Sequence, residues 1–418
     1  MANDTVRVAI IGGGLAGATL ANALYKLPHI AVNVFESAPE FSERGAAVGL
    51  STNAQAALQE SVESLKEVLQ KAGSVPIAST RLMIGSGPGA GSLLLDFAGM
   101  ESEPELIVHR ASLLRELLAP LPKDILHPNK KLTKIDTSGD GVTITFEDDT
   151  VSQFDAVIGA DGVFGTVRSH VVKSDQDQDF SASPGGFWDC RVLAPFDIAK
   201  ATLGEELFKL DRQYGWLGDG AFIMHDVLEN GTLVQMVISA VERDPPKDRK
   251  RPLTREFLES TLSSWMEGPI AKGVIDLILE QPNPQGYSQW EHKQTPTYAK
   301  GRVCIIGDAA HATTPWQGAG AGQAFEDVMV LAALLKNRVT SPKDIDAAFL
   351  AYDAVRRPRG QQVVDSSRGT GTILCGMDPE AGLDPAKLMP ALGPRWAFLE
   401  LDPKAHIAAA LEKVAEFS

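Results

Sequence analysis

Cysteine is scarce in this chain: Cys190, Cys304 and Cys375 are the only three, widely separated and without a CxxC pair. An odd, scattered set argues against a disulfide framework and for a reduced setting, so a cytoplasmic location is expected. Histidine is sparse as well, and the 8 present show no HxxxH-type ligand spacing, so no metal site is expected. Positive charge is in deficit, with 39 Lys and Arg against 54 Asp and Glu for a net charge of −15, which argues against nucleic-acid or anionic-membrane partners. No apolar run is long enough to span a bilayer. The first apolar strand begins almost directly after Met1-Ala2-Asn3-Asp4, so no signal peptide is expected. What remains, 44% hydrophobic over 418 residues, is a globular chain with ample core for two interleaved domains.

Glycine, by contrast, is abundant and patterned. An apolar, β-branched run from Val6 to Ile11 stops at Gly12-x-Gly14-x-x-Gly17, and an Ala/Leu-rich segment from Leu15 to Leu27 follows with helical spacing. In this strand–turn–helix Gly12 permits the turn and Gly14 lets backbone approach a pyrophosphate. Gly17 lets the helix pack closely, and the N–H groups around Leu15 and Ala16 receive the anion. A second apolar run, Ile30 to Phe35, ends in Glu36, placed to accept hydrogen bonds from a ribose. This much indicates a dinucleotide fold and leaves FAD and NAD(P) open.

Two further strand ends carry a carboxylate and a glycine. Phe154 to Ile158 runs into Gly159-Ala160-Asp161-Gly162, and Arg302 to Ile306 runs into Gly307-Asp308-Ala309-Ala310-His311. After Pro315, Trp316-Gln317-Gly318-Ala319-Gly320-Ala321-Gly322 opens a helix, a turn whose N–H groups suit an electron-rich ring. The three motifs, in this order from Val6 to about Arg368, resemble the FAD-dependent aromatic hydroxylases, the single-component flavoprotein monooxygenases. The stretch from Gly215 to Gln235 and the GDAAHATTP segment look most like the fungal salicylate hydroxylases.

That resemblance implies an α/β fold with an α+β insert: a Rossmann-like FAD-binding domain, an interleaved β-sheet substrate domain and C-terminal helices. The expected partition is 1–80, 97–180 and 288–370 for FAD, 81–96 and 181–287 for substrate, and 371–418 as a helical tail. It implies that Asp308 holds the ribitol, that Asp161 and Gly162 serve flavin and nicotinamide nucleotide, and that Arg110 and Arg44 match family arginines. Taken alone, either arginine could be a solvated surface charge. Gly318, Gly320 and Ala321 would face the flavin. The implied reaction uses NADH or NADPH and O2 to hydroxylate a phenolic, carboxylated aromatic substrate through a C4a-hydroperoxyflavin, with salicylate to catechol and loss of carbon dioxide as the leading case.

Candidate substrate residues are Arg191, Tyr214, His225, Met236 and Trp316, with Arg191, His225 and Pro315 in the catalytic set. Arg191 could pair with a carboxylate or phenolate. His225 is either a base or a bland hairpin residue, and Tyr214 and Met236 alternate in β patterns that more often make core. Trp316 stands where several salicylate hydroxylases have a histidine, which opens the alternative of another phenol such as a fungal polyketide. A flavin-dependent halogenase would need a WxWxIP segment that the chain does not have. A non-catalytic Rossmann protein would not need the Asp161 and Asp308 motifs. Apolar C-terminal helices would permit a homodimer.

Overall fold

The computed structural model describes residues 5–42, 47–77, 80–97, 105–173, 179–210 and 212–417. Its centre is a six-stranded sheet in the order Ala299–Lys300, Val303–Ile305, Ala156–Gly159, Val6–Ile11, Ile30–Phe35, Leu126–His127. The four strands from Val303–Ile305 to Ile30–Phe35 run parallel, with Ile10 opposite both Val34 and Ile158. Parallel strands are covered on both faces, which is why these segments read as continuous apolar runs rather than alternating ones. The helices Leu15–Leu24, Gly320–Arg338 and Ile345–Leu374 supply much of that cover. The sequence places the carboxyl ends of three of these strands at Gly12, Gly159 and Gly307, and the fold gathers them along one edge.

Above that edge lies an eight-stranded sheet in the order Lys250–Pro252, Gln285–Glu291, Ser183–Pro195, Leu233–Val241, Ala221–Leu228, Gln213–Gly218, Thr80–Ile84, Leu93–Asp96. It is antiparallel except where Gln213–Gly218 meets Thr80–Ile84. Thr80–Ile84 and Leu93–Asp96 form a hairpin around Ser86 to Gly91. Ala221–Leu228 and Leu233–Val241 form a long hairpin. Its tip carries three consecutive left-handed residues, Glu229, Asn230 and Gly231. After Lys250–Pro252 the chain forms the helix Arg255–Thr261 and a short 3-10 turn, Ser263–Trp265.

Both faces of this upper sheet are buried. Its outer face packs on Phe196–Leu203, Arg255–Thr261 and Ala271–Leu279 through Trp188, Trp216 and Trp265. Its inner face meets Trp316, Ile373 and Leu374 at one end and the small sheet of Ala47–Leu50, Glu105–His109 and Val75–Ile77 at the other. Among the described residues no helix is long and apolar enough to cross a membrane, and no His/Cys/Asp/Glu cluster could hold a metal ion.

Candidate active site

The nucleotide cradle is built from close approaches that only glycine allows. Gly12 sits at φ +107°, and a Cβ there would run into the Ala160 carbonyl at the end of the neighbouring strand. A Cβ at Gly17 would meet the Gly12 carbonyl, so the helix Leu15–Leu24 rests directly on the turn. Gly14 caps that helix in extended geometry. No acidic residue occupies its first turn, so Leu15 and Ala16 lie at a positive dipole end. Glu36 is aimed from the second strand: its Oε2 accepts the Gly13 N–H and its Oε1 the Ala38 N–H, each at 2.8 Å.

The second motif brings Asp161 and Gly162, the latter at φ +78°, beside the turn. Val167 N–H donates to Asp161 Oδ2 at 3.0 Å, while Oδ1 is buried with no hydrogen-bond partner, and burial pushes the carboxyl up to about 6. Arg168 is buried and donates to the carbonyls of Ala309 and Ala310 at 2.9 and 3.2 Å, tying the Asp161 segment to the Asp308 helix. Burial lowers its pKa to about 10, still charged at neutral pH.

Asp308 itself is exposed at the helix start, and the loop beneath it is fixed by an ionic cluster that sequence reading missed. Asp327 Oδ2 accepts the Gly307 N–H at 2.8 Å and meets His311 Nε2 at 2.5 Å, while its Oδ1 accepts from Arg356 Nε at 2.9 Å. Arg356 also donates to Glu326, which in turn takes Arg359, each at 2.6 Å. Burial alone would raise the Asp327 and Glu326 carboxyls. For Asp327 the His311 ring and the Arg356 guanidinium outweigh it, and for Glu326 the guanidinium groups of Arg356 and Arg359, so both are held below the usual range. His311 therefore supports the loop. Nearby, Gly318 turns at φ +63°, and the helix Gly320–Arg338, with Ala321 in its first turn, begins without a side-chain cap or an acidic residue.

The upper sheet corrects part of the substrate-side expectation. Tyr214, His225 and Met236 share the outer face, away from Trp316. His225 stacks on Tyr214 at 4.9 Å, neither ring nitrogen has a hydrogen-bond partner, and burial pulls its pKa to about 3. A neutral ring sealed among the outer helices is no base for a substrate on the other side. The inner face carries the alternate residues: Arg191, Val237, Met224, Gly215 and Leu82 in one cross-strand row, with Phe222 and Leu217 toward Trp316. Arg191 is part-exposed and lies 3.4 Å from Asp189. Trp316 is buried against Phe187 at 4.8 Å between ring centres, with its indole edge on Gly371, and Pro315 is half-buried beside it. The structure thus brings Arg191, Pro315 and Trp316 to the inner side and leaves Tyr214, His225 and Met236 outside.

Residues 5–367 match the family model described as FAD binding domain. The chain belongs to the FAD binding domain family. Among its relatives, the 6-methylsalicylate 1-monooxygenase of Aspergillus terreus is 34% identical over 394 residues, 90% of this chain and 84% of that protein. A salicylate hydroxylase of Pseudomonas putida is 32% identical over 413 residues, 94% and 92% of the two chains. A solved salicylate hydroxylase substrate complex superposes with a TM-score of 0.85 at 27% identity, over 97% of this chain and 98% of the other. As a member of this family the protein is an FAD-dependent monooxygenase with NAD(P)H as co-substrate.

The residues present fit the family's cofactor. Gly12 and Gly17 keep Cβ atoms out of the turn, Glu36 offers a carboxylate to a ribose, and the partnerless Asp161 Oδ1 and the exposed Asp308 mark two more polar contacts on the same edge. Arg110 begins the helix Arg110–Leu118 at the end of Glu105–His109. Arg44 lies outside the described residues.

Proposed function

We propose that the enzyme hydroxylates a phenol carrying a ring carboxylate, with salicylate converted to catechol as the leading reaction. The observation that carries this is Arg191. It is a cation on the inner face of the upper sheet, in a gap between the apolar cluster of Trp316 and that of Ala47. A guanidinium there can take a carboxylate in bidentate fashion. Leu82, Phe222, Met224 and Val237 supply the apolar surface that holds a ring and keeps water out. The N-terminus of Gly320–Arg338 presents a positive dipole end toward the cofactor edge, where negative charge is stabilised.

FAD, when bound, passes electrons from NAD(P)H to dioxygen and delivers one oxygen atom to the ring. In the balanced reaction that oxygen joins the carbon that loses carbon dioxide, the other leaves as water, and NAD(P)H supplies two electrons. Gly12, Gly14, Leu15, Ala16, Gly17, Glu36, Arg44, Arg110, Asp161, Gly162, Asp308, Gly318, Gly320 and Ala321 are assigned to the cofactor, and Arg191, Pro315 and Trp316 to the substrate side. The partition into 1–80, 97–180 and 288–370, a sheet unit of 81–96 and 181–287, and a tail of 371–418 belongs to the same reading, as does a cytoplasmic location. Arg191→Ala should weaken salicylate binding at least about tenfold, the scale of one charged hydrogen bond, while leaving flavin content intact. An unchanged dissociation constant would remove Arg191 from the site.

A further inference from the structure

Behind Arg191 the sheet holds a carboxylate that a ring substrate does not reach. Asp226 lies two positions along Ala221–Leu228 from Met224, on the same inner face, and is 2% exposed. Gln235 donates to its Oδ2 at 3.0 Å, while Oδ1 is shut from solvent with no hydrogen-bond partner. The charged group acting on it is Arg191, whose other carboxylate is Asp189; Gln213 approaches from the next strand and is neutral. Leu228, Leu193 and Leu233 seal the side toward the small sheet. Beyond that seal, His109 and Glu229 face each other at 3.4 Å. His225, next in sequence, points to the opposite face.

We propose that Asp226 is a proton-coupled counter-charge for Arg191, neutralising the guanidinium while the site is open and taking up one proton from solvent when an anionic ring carboxylate binds. This rests on the anionic-substrate reading of the site. The electrostatics require some such response. Arg191 lies 3.4 Å from Asp189 and its charge also reaches the buried Asp226, one row along the same face, so an added anion would leave the group with more negative than positive charge. Burial pushes the Asp226 carboxyl up to about 6, so only a modest further rise protonates it near neutrality. No bond of the substrate changes. Asp226 is a positioning residue that sets which charge state the site accepts, favouring monoanions and giving their binding a pH dependence.

The sign follows directly: the protonated form binds the anion better, so affinity falls as pH rises. With FAD-loaded protein and salicylate, whose carboxylate stays ionised throughout, the dissociation constant should rise about tenfold between pH 6 and pH 8. Calorimetry in two buffers of different ionisation enthalpy should show net proton uptake near pH 7. Asp226→Asn should still bind, with a flat pH profile and buffer-independent heat. Wild-type binding without proton uptake, or the same pH profile in Asp226→Asn, would overturn the proposal; the two-buffer experiment on wild type alone decides if the variant fails to fold. Arg191→Ala separates the layers. Unchanged salicylate affinity there defeats the anionic-substrate reading, whereas weakened affinity with the linkage intact in Asp226→Asn defeats only the proton coupling. Absence of salicylate binding to wild type would overturn both.

Discussion

Single carboxylates in this enzyme are given opposite characters by their surroundings. Asp308 is left in the open at a helix start, where it can meet a ligand hydroxyl. Asp308→Ala should release FAD, read as lost flavin absorbance after gel filtration; full retention would refute the assignment. Asp327, 19 residues on, is wholly buried and does its work through Gly307, His311 and Arg356. Breaking one member of such a buried set exposes its partners to an uncompensated charge, so Asp327→Asn should cost about 3–5 kcal/mol in denaturant unfolding. Because the Asp327 and Glu326 carboxyls are held below their ordinary range, their stabilisation is complete above that range and is lost as pH falls through the depressed values. Wild-type stability should therefore drop in acid more steeply than that of Asp327→Asn, and parallel acid profiles would contradict the network's role.

Strand alternation in the upper sheet decides which residues can see a substrate. Met224 and Met236 sit on neighbouring strands, yet Met224 points inward and Met236 into the outer helical layer. Met224→Ala should raise KM for the aromatic substrate several-fold with little change in Tm. Met236→Ala should leave KM alone and lose about 2–5 kcal/mol of stability through the cavity it creates. The reverse pattern would mean the faces are exchanged. The glycine turns and the strand ends at Asp161 and Asp308 were legible because each depends on local geometry that few residues satisfy. The facing of Tyr214, His225 and Met236 was not legible, because a sheet covered on both sides buries apolar residues at odd and even positions alike, and a period of two then loses its label. Met224, Asp226 and Gln235 went unnoticed for the same reason. The Asp327–Arg356 pairing joins two helices, and spacing within either helix carries no sign of it.

The molecule as a whole is two layers, and the proposed site lies between them. The parallel sheet presents three glycine-lined strand ends along one edge, and the upper sheet, held rigid by outer helices and by the packing of Trp316 on Gly371, faces that edge with one cation and a wall of apolar side chains. Such an arrangement suits an enzyme whose cofactor carries the difficult step, because what the protein must add is orientation, charge balance and dryness. Substrate choice then resides in few positions, and under the proposed function Arg191 is the main polar handle on the ring, with Trp316 adding apolar contact. The most direct test is NADH oxidation by the FAD-loaded enzyme with and without salicylate, with products identified in the same samples. Strong stimulation with catechol formed is the predicted result; no stimulation, or stimulation yielding only hydrogen peroxide, would contradict salicylate as the substrate.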